Sequence, residues 1–283
     1  MLKRKGEHSV LRENRKDGVL YFTFPGLAGE RQFVHGFSSR IGGVSQNELA
    51  TMNLSFSRGD KEENVRENYR RIASAIGFDD RKLVCSHQTH TNNVRVVTEA
   101  DCGKGYLCDL DYQDVDGLVT NVPGIVLATF YADCVPLYFV DPVRRAVGLS
   151  HSGWRGTVRD IAGVTVAKMQ EAYGSDPSDI RAAIGPSICA SCYEVGPEVI
   201  EEFRSAYSPS LWNLLFERRS GTEQKYQLNL WEACRQNMLR AGILPEHIEV
   251  TDLCTCCNPD ILFSHRASHG KRGNLAAFLG IRA

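Results

Sequence analysis

Cys134 and His151 are the residues of this sequence that first point to chemistry. Cys134 ends the tripeptide Ala-Asp-Cys, and His151 begins the segment His-Ser-Gly-Trp-Arg-Gly. Thiolate and imidazole are ligand types that zinc prefers. Their separation exceeds the roughly two to four residues of a zinc-finger pair, but it suits neighbouring strand ends that meet in space. From these two residues alone, a buried cysteine and a hydrogen-bonded histidine are the simpler interpretation.

A third candidate ligand lies upstream. His87 and His90 stand in the segment Cys-Ser-His-Gln-Thr-His-Thr, between an apolar lead and a strand-like run at residues 94–97. Either histidine could reach the same strand ends. Two imidazoles and one thiolate would leave the fourth position of zinc open for water or substrate, which is the pattern of a catalytic site. Such a metal lowers the pKa of bound water and can polarise a leaving group.

Charged residues accompany these candidates. Asp116, Asp133 and Arg155 stand at predicted strand ends, where an apolar core needs no charge. Arg155 is a candidate for binding an anion, because arginine presents a fixed fork of donors. Asp133 could protonate or orient a substrate, or it could be an ordinary hydrogen-bonded carboxylate. A thiol hydrolase is an alternative, with Cys134 as nucleophile and His151 as base, but a thiolate bound to a metal is not a free nucleophile.

The segments that must position these residues are predicted to be buried strands. Runs rich in Val, Leu, Ile, Phe and Tyr are separated by Asn-Val-Pro-Gly and Asp-Pro, which is typical of strands and turns. The predicted strands are residues 117–120, 125–131, 135–140 and 146–149 in the middle of the chain, 20–24, 34–38 and 94–97 before them, and 180–185 and 248–253 after them.

Helices are predicted around these strands. Thr157 begins one helix with Asp160 as its capping-box partner, and this helix ends before Gly174. The other predicted helices span residues 60–76, begin at Pro197, and extend from the N-cap Asn229 to Gly242. Consecutive strands without regular βαβ alternation favour an α+β fold. We therefore predict a mixed β-sheet or sandwich core with flanking helices in a single domain.

Motifs along nearly the whole chain resemble those of a known family, the zinc-dependent purine nucleoside phosphorylases, formerly labelled polyphenol oxidases or laccase-domain proteins. The matching segments, in chain order, are HGFSSRIGGVS, NLS, HQTHTNNV, DVDGLVT, ADCVPL, HSGWRGT, IGPSI, YEVG, DLCT and FSHR. The resemblance implies the same α+β architecture and a metal held by His90, Cys134 and His151. His87 then lies outside the ligand set.

The resemblance also implies roles for further residues. Arg40 stands beside Gly42 and Gly43 in a loop that can approach an anion. The residues alone favour an ordinary turn there, whereas the resemblance favours phosphate binding. We expect Arg40, Arg155 and Asn53 to bind substrate or phosphate, and Asp133, Cys134 and His151 to take part in catalysis.

Length and composition limit the class of protein. A chain of 283 residues with 42% hydrophobic content can bury a sizeable core, and a formal net charge of −1 argues against nucleic acid or membrane as the main partner. The sequence contains no apolar run of about 20 residues and no secretory signal. We expect a cytoplasmic protein with a flexible arm over residues 1–18 and one catalytic domain over residues 19–283, in which the ten cysteines are reduced thiols.

A structural four-cysteine zinc site is disfavoured. Cys254, Cys256 and Cys257 could form half of such a site, and Cys189 and Cys192 form a Cys-x-x-Cys pair.

The resemblance to the family implies phosphorolysis of purine nucleosides as the function. We expect zinc as cofactor, and adenosine, inosine and methylthioadenosine as substrates together with phosphate, with adenosine deamination as a second activity. A copper-dependent polyphenol oxidase is a less favoured alternative, since the chain has eight histidines and no His-x-His pair. A zinc-stabilised interaction module without catalysis is the non-enzymatic alternative.

Overall fold

A computed structural model of the chain describes residues 2–6, 10–219 and 224–283. Its strands are β1 (Arg12–Lys16), β2 (Val19–Thr23), β3 (Phe33–Ser38), β4 (Leu83–Cys85), β5 (Val94–Val96), β6 (Gly117–Thr120), β7 (Val126–Tyr131), β8 (Val135–Asp141), β9 (Ala146–Ser152), β10 (Arg181–Ile184), β11 (Glu194–Val195), β12 (Phe216–Arg218), β13 (Tyr226–Leu228), β14 (Ile248–Val250) and β15 (Leu275–Ile281). Its helices are α1 (Pro25–Ala28), α2 (Glu62–Ile76), α3 (Trp154–Val158), α4 (Ile161–Tyr173), α5 (Pro197–Ala206), α6 (Trp212–Leu215) and α7 (Leu230–Arg240).

The strands form two large mixed sheets and one small sheet. The first sheet has the order β1-β2-β3-β15-β7-β4 and is antiparallel except for the β4–β7 pair. The second sheet has the order β14-β10-β8-β9-β6-β5, with parallel pairs at both edges. Strands β11, β13 and β12 form the small antiparallel sheet.

A hydrophobic core lies between the two large sheets. Leu127 and Leu279 of the first sheet share it with Tyr138 and Leu149 of the second. Alternate residues of one strand point to opposite faces, so Phe278 of β15 lies in a different cluster, with Ile72 and other apolar residues of α2. Helices α4 and α7 cover the outer face of the second sheet. The predicted α+β sandwich with flanking helices is confirmed.

The strand β15 was missed by the sequence analysis. All seven of its residues are buried, and it lies between β3 and β7 in the first sheet. A strand that is buried on both faces has a continuous apolar run without alternation, which periodicity cannot distinguish from other buried segments.

The N-terminal segment also differs from the prediction. Instead of a flexible arm over residues 1–18, Arg12–Lys16 forms β1, which pairs with β2 along its whole length. Arg4 makes an ion pair with the buried Asp252 (2.5 Å), and Leu11 is buried. These contacts anchor the described part of the segment to the domain.

The predicted start of the helix at Thr157 is wrong. A short helix, α3, precedes that position, and α4 begins after a break at Asp160, whose φ is +56°. Asp160 is itself the N-cap, since its carboxylate accepts from the Gly163 amide (3.1 Å), while Thr157 donates its hydroxyl to the Gly153 carbonyl (2.9 Å). No helix within the described ranges has the length and apolar character that crossing a membrane requires.

Candidate metal centre and active site

The structure brings His90, Cys134 and His151 together from three segments. His90 lies in the loop after β4, Cys134 lies in the turn between β7 and β8, and His151 lies near the end of β9. Pairing of β8 with β9 sets Pro136 opposite His151, which brings Cys134 beside the imidazole. The three ligand atoms all lie within 4.8 Å of one another, and His90 Nε2 is 3.9 Å from Cys134 Sγ. This donor set fits a single metal ion with an open coordination position.

A buried carboxylate fixes both histidines of this group. Asp116 Oδ1 is 2.8 Å from His151 Nδ1 and accepts from the His90 amide at 3.1 Å. Its Oδ2 accepts from the amides of Thr89 (3.1 Å) and Thr91 (2.9 Å). Metal-binding histidines usually donate their second ring nitrogen to such a carboxylate, which fixes the tautomer and the ring orientation. With Nδ1 bound to Asp116, His151 has Nε2 available for a metal.

The charges of Asp116, Cys134 and His151 shift one another's pKa values. Burial opposes ionisation of Asp116, but the hydrogen bond and the charge of His151, together with the backbone amides, lower the pKa of its carboxyl to about 2. Burial would likewise raise the pKa of the Cys134 thiol, but His151 and His90 lower it to about 6. Burial opposes the charge of His151, whereas Cys134 and Asp116 raise its pKa to about 9. Without a metal, these shifts favour a thiolate at Cys134 beside a protonated His151, and a metal that binds His151 would take the place of a ring proton.

The backbone at the site adopts an unusual conformation. His90 has a φ of +67° and Asp133 a φ of +92°, both in the left-handed region that favours glycine. Each such residue costs on the order of 1–3 kcal/mol, and residues of this kind cluster at functional sites. The surrounding hydrogen bonds hold both loops in place, which keeps His90 and Cys134 in register with His151.

Two cavities meet at His90 and Cys134, and His151 lines the first of them. The first, of about 460 Å³, extends between the Ser55–Arg58 loop and Phe130, and the second, of about 410 Å³, extends past Trp154 and Tyr193. Both are lined by His90, Cys134, Arg58 and Arg272. An ion at this position is therefore accessible from two sides, and each cavity offers aromatic surface to a ligand.

The second cavity has a strongly cationic lining. Its basic residues are Arg58, Arg155, His265, Arg266 and Arg272. Burial and the neighbouring Arg58 lower the pKa of Arg272 to about 10, so its guanidinium stays charged at neutral pH. The buried Nε of Arg272 has no hydrogen-bond partner among the described residues. Concentrated positive charge with an unpaired buried donor is a suitable environment for an anion.

Some of the predicted site residues line the two cavities and others do not. Cys134, His90, Arg155 and Asp133 line the second cavity, whereas His151 lines the first. Arg155 stacks on the Trp154 ring with its guanidinium 4.3 Å from the ring centroid. His87 lies outside the ligand set and lines the first cavity, where its Nδ1 accepts from the Asp114 amide.

Arg40 and Asn53 do not line either cavity. The Arg40 guanidinium donates to the carbonyls of Ala50 (2.7 Å) and Pro259 (2.8 Å) and lies over the Phe263 ring. Asn53 is fully buried and bonds Ser55 and the Asn274 amide. Their donors and acceptors are used within the fold, so the structure does not support their predicted role in binding substrate or phosphate.

Asp133 has less freedom than a proton donor needs. Its Oδ1 accepts from the Thr255 hydroxyl at 2.6 Å, and its Oδ2 accepts from the Arg266 amide at 2.7 Å. These bonds favour the second of the two interpretations drawn from the sequence, a hydrogen-bonded carboxylate that holds the turn carrying Cys134.

Arg58 and Arg272, which line both cavities, were not singled out in the sequence analysis. Arg58 is the last residue of a short 3-10 turn, and Arg272 lies in the cation-rich segment that precedes β15. The density of positive charge around residues 265–272 could have indicated an anion-binding segment. Many such runs are solvated surface, however, and the folded chain is needed to show which of these cations face a cavity.

Comparison with known proteins places this site in a family. The family model described as multi-copper polyphenol oxidoreductase laccase matches residues 34–282. The chain belongs to this family. The resemblance that the sequence motifs indicated is confirmed.

Members of the family include proteins with named activities. The purine nucleoside phosphorylase YlmD of Bacillus subtilis is 38% identical over 255 residues, which cover 89% of this chain and 90% of that protein. The adenosine deaminase RL5 of an unknown prokaryotic organism is 36% identical over 239 residues, which cover 82% of this chain and 88% of that protein. The crystal structure of YlmD from Geobacillus stearothermophilus matches with a TM-score of 0.87 at 36% identity and covers 98% of this chain and 100% of that chain.

Proposed function

We propose that this protein is a zinc-dependent purine nucleoside phosphorylase that also deaminates adenosine. The observation that carries the proposal is the convergence of His90, Cys134 and His151 where two cavities meet, one of them lined by arginines. The names of the relatives, purine nucleoside phosphorylase and adenosine deaminase, agree with it. The substrates are adenosine, inosine and methylthioadenosine, and the partners are small molecules only.

Phosphorolysis assigns roles to the cationic cavity. A phosphate oxygen forms a bond to the anomeric carbon of the ribose while the bond to the purine nitrogen breaks, and the purine leaves with the electron pair and takes up a proton. The products are the free base and ribose 1-phosphate or its methylthio analogue. Arg155, Arg58 and Arg272 hold the phosphate, because their guanidinium groups line one cavity beside the metal ligands. The ring of Phe130 or Trp154 offers a face for the purine.

Deamination uses the same site without phosphate. Water replaces the amino group of adenosine, and inosine and ammonia are formed. A zinc ion held by His90, Cys134 and His151 would supply the Lewis acidity that activates water or a leaving group. Asp116 keeps the His151 ring oriented by its hydrogen bond to Nδ1, and Cys134 supplies the charged thiolate ligand.

Zinc is favoured over copper by the ligand set and its surroundings. Two histidines and one cysteine also occur in blue-copper sites, which add a weak axial methionine. The side chains of Met52, Met169 and Met238 are all buried in hydrophobic clusters away from the cavities. A zinc ion with an open position therefore fits this part of the chain better. A reducing cytoplasm suits the ten unpaired cysteines.

The test is product analysis with a known metal content. Adenosine, inosine and methylthioadenosine are incubated with the zinc-loaded protein, with and without phosphate. We expect free base and the sugar 1-phosphate only when phosphate is present, and inosine from adenosine in either case. Zinc-loaded protein without any turnover would favour the interaction module, and phenol oxidation by copper-loaded protein would favour the oxidase.

The reactivity of Cys134 distinguishes the zinc enzyme from a thiol hydrolase, in which this thiolate would be free and reactive. If the thiolate binds zinc, alkylation by iodoacetamide is slow in the zinc-loaded protein and becomes fast after chelation. In the metal-free protein the rate should fall as the pH drops through about 6, because the reactive thiolate is lost below that lowered pKa. Full turnover by metal-free protein, with fast labelling of Cys134 before chelation, would refute the zinc enzyme.

A further inference from the structure

A second group of metal-binding side chains lies outside the catalytic site. Cys189, Cys192, Cys254 and Cys257 form two Cys-x-x-Cys pairs, and their four sulfur atoms all lie within 4.8 Å of one another. In the first pair, Cys189 is the N-cap and Cys192 the last residue of the 3-10 turn after β10, and the second pair follows β14. The sequence analysis disfavoured a four-cysteine site because the pairs are far apart in the chain, but the folded chain brings them together.

We propose that these four cysteines bind one structural zinc ion, separate from the catalytic metal. Tetrahedral zinc with Zn–S bonds of about 2.3 Å places its sulfur ligands about 3.8 Å apart, which agrees with the observed span. The Cys192 and Cys257 sulfurs are 3.4 Å apart, far beyond the roughly 2.05 Å of a disulfide bond. An iron–sulfur cluster fits poorly, because its irons carry separate thiolates and spread the ligands more widely.

The backbone around the sulfurs is arranged to stabilise thiolates. The amides of Cys189 and Cys257 both donate to Cys254 Sγ, at 3.3 Å and 3.4 Å. Ser191 Oγ lies 3.2 Å from Cys189 Sγ and accepts from the Lys5 ammonium group. Four thiolates on one zinc ion leave two excess negative charges, and these amides and the lysine offset them.

The site is closed, as expected for a structural metal. Cys189 and Cys254 are buried, and Cys192 and Cys257 are half-buried. The N-terminal segment is fixed next to the second pair, since Asn258 exchanges hydrogen bonds with the backbone of Lys3 and also donates to the Cys254 carbonyl. Four protein ligands leave no position for substrate, which is the pattern of structural zinc.

The zinc ion would cross-link the two loops that follow the paired strands β10 and β14. An isolated bridge between Ser187 and Cys254 continues that pairing, and the Thr255 amide donates to the Ser187 carbonyl (3.1 Å). Both loops then contact Asp133, through the Thr255 hydroxyl and through the Ile188 amide. Because Asp133 precedes Cys134, the zinc ion would stabilise the turn that carries a ligand of the catalytic metal.

Zinc content separates the two sites. We expect about two zinc ions per chain in the wild-type protein purified without chelators, about one in Cys134→Ala with His151→Ala, and about one in Cys192→Ser with Cys257→Ser. Cys256→Ser is the matched control, since Cys256 lies in the same loop but outside the set of four, and it should keep both ions. A wild-type protein with a single zinc ion that Cys134→Ala with His151→Ala removes would overturn the proposal.

X-ray absorption on the wild-type protein tests the proposal without any variant. One site with one sulfur ligand and a second with four give an average of about 2.5 sulfur atoms per zinc ion, whereas the catalytic site alone gives about one. An average near one contradicts the proposal. So does a mass spectrum of the freshly purified chain that shows disulfides among these four cysteines.

Discussion

The two groups of metal-binding side chains in this protein differ in access and in ligand number. His90, Cys134 and His151 lie where two cavities meet, and His90 is exposed. The four cysteines are buried or half-buried between loops and the N-terminal segment. An ion with three protein ligands can exchange water and substrate, whereas an ion with four cannot. Cysteine occurs in both groups, so the surroundings and the number of protein ligands decide whether a bound ion would be open to substrate.

The largest expected loss of activity comes from removing ligands of the open group, which is the set His90, Cys134 and His151 beside the cavities. Cys134→Ala with His151→Ala should abolish phosphorolysis and deamination, a loss of at least about 1,000-fold, since the metal that activates the reaction is no longer held. Elemental analysis and product assays are the measurements. Cys192→Ser with Cys257→Ser should instead lower the melting temperature strongly. If both double variants lost stability and activity equally, the distinction between the two groups would fail.

The second largest effect is expected from replacing Asp116, the buried carboxylate that orients the histidines of the open group. Asp116→Asn removes the charge that holds His151 Nδ1 and the His90 loop, so zinc affinity should fall by about 10- to 100-fold. Competition with a fluorescent chelator measures the affinity at the catalytic site. Asp114→Asn is the control, because Asp114 is exposed and bonds the Thr89 hydroxyl instead. Equal affinities of the two variants would show that Asp116 does not orient the ligands.

A smaller and more selective effect is expected for the arginine beside the open group. If Arg155 binds phosphate as proposed, Arg155→Ala should remove a charged hydrogen bond, at a cost on the order of 2 kcal/mol, and raise the KM for phosphate about 30-fold. Deamination needs no anion and should change little. Arg159→Ala is the control, since Arg159 is exposed on the same stretch of chain and outside the cavity lining. Equal losses in both reactions would indicate that Arg155 binds the nucleoside.

Arg40 should have the smallest effect on catalysis. Its guanidinium donates to the Ala50 and Pro259 carbonyls, so Arg40→Ala should reduce the free energy of unfolding by about 1–3 kcal/mol while the KM for phosphate stays unchanged. Denaturant unfolding and phosphate titration measure the two quantities. A phosphate KM raised as much as in Arg155→Ala would restore the role that the sequence motif suggested.

Much of this protein could be predicted from its sequence. Alternating and continuous apolar runs predicted the central strands, and Gly77 and Gly174 correctly ended two helices as left-handed C-caps. The start of α4 was placed wrongly, because Asp160 caps the helix itself, and local sequence does not distinguish that geometry from a capping box. Three ligands were found from motifs, and the structure brings all three together.

Tertiary structure alone decided the rest. The two cysteine pairs are separated by 65 residues, and the parallel pairing of β10 with β14, continued by the bridge between Ser187 and Cys254, sets them side by side. Likewise, the direction of each arginine depends on its packing, so that Arg40 binds carbonyls of the fold while Arg272 reaches the cavity. Sequence spacing determines which groups are neighbours along one strand or turn. Which strands and loops become neighbours in space is set by long-range pairing and by burial of the core.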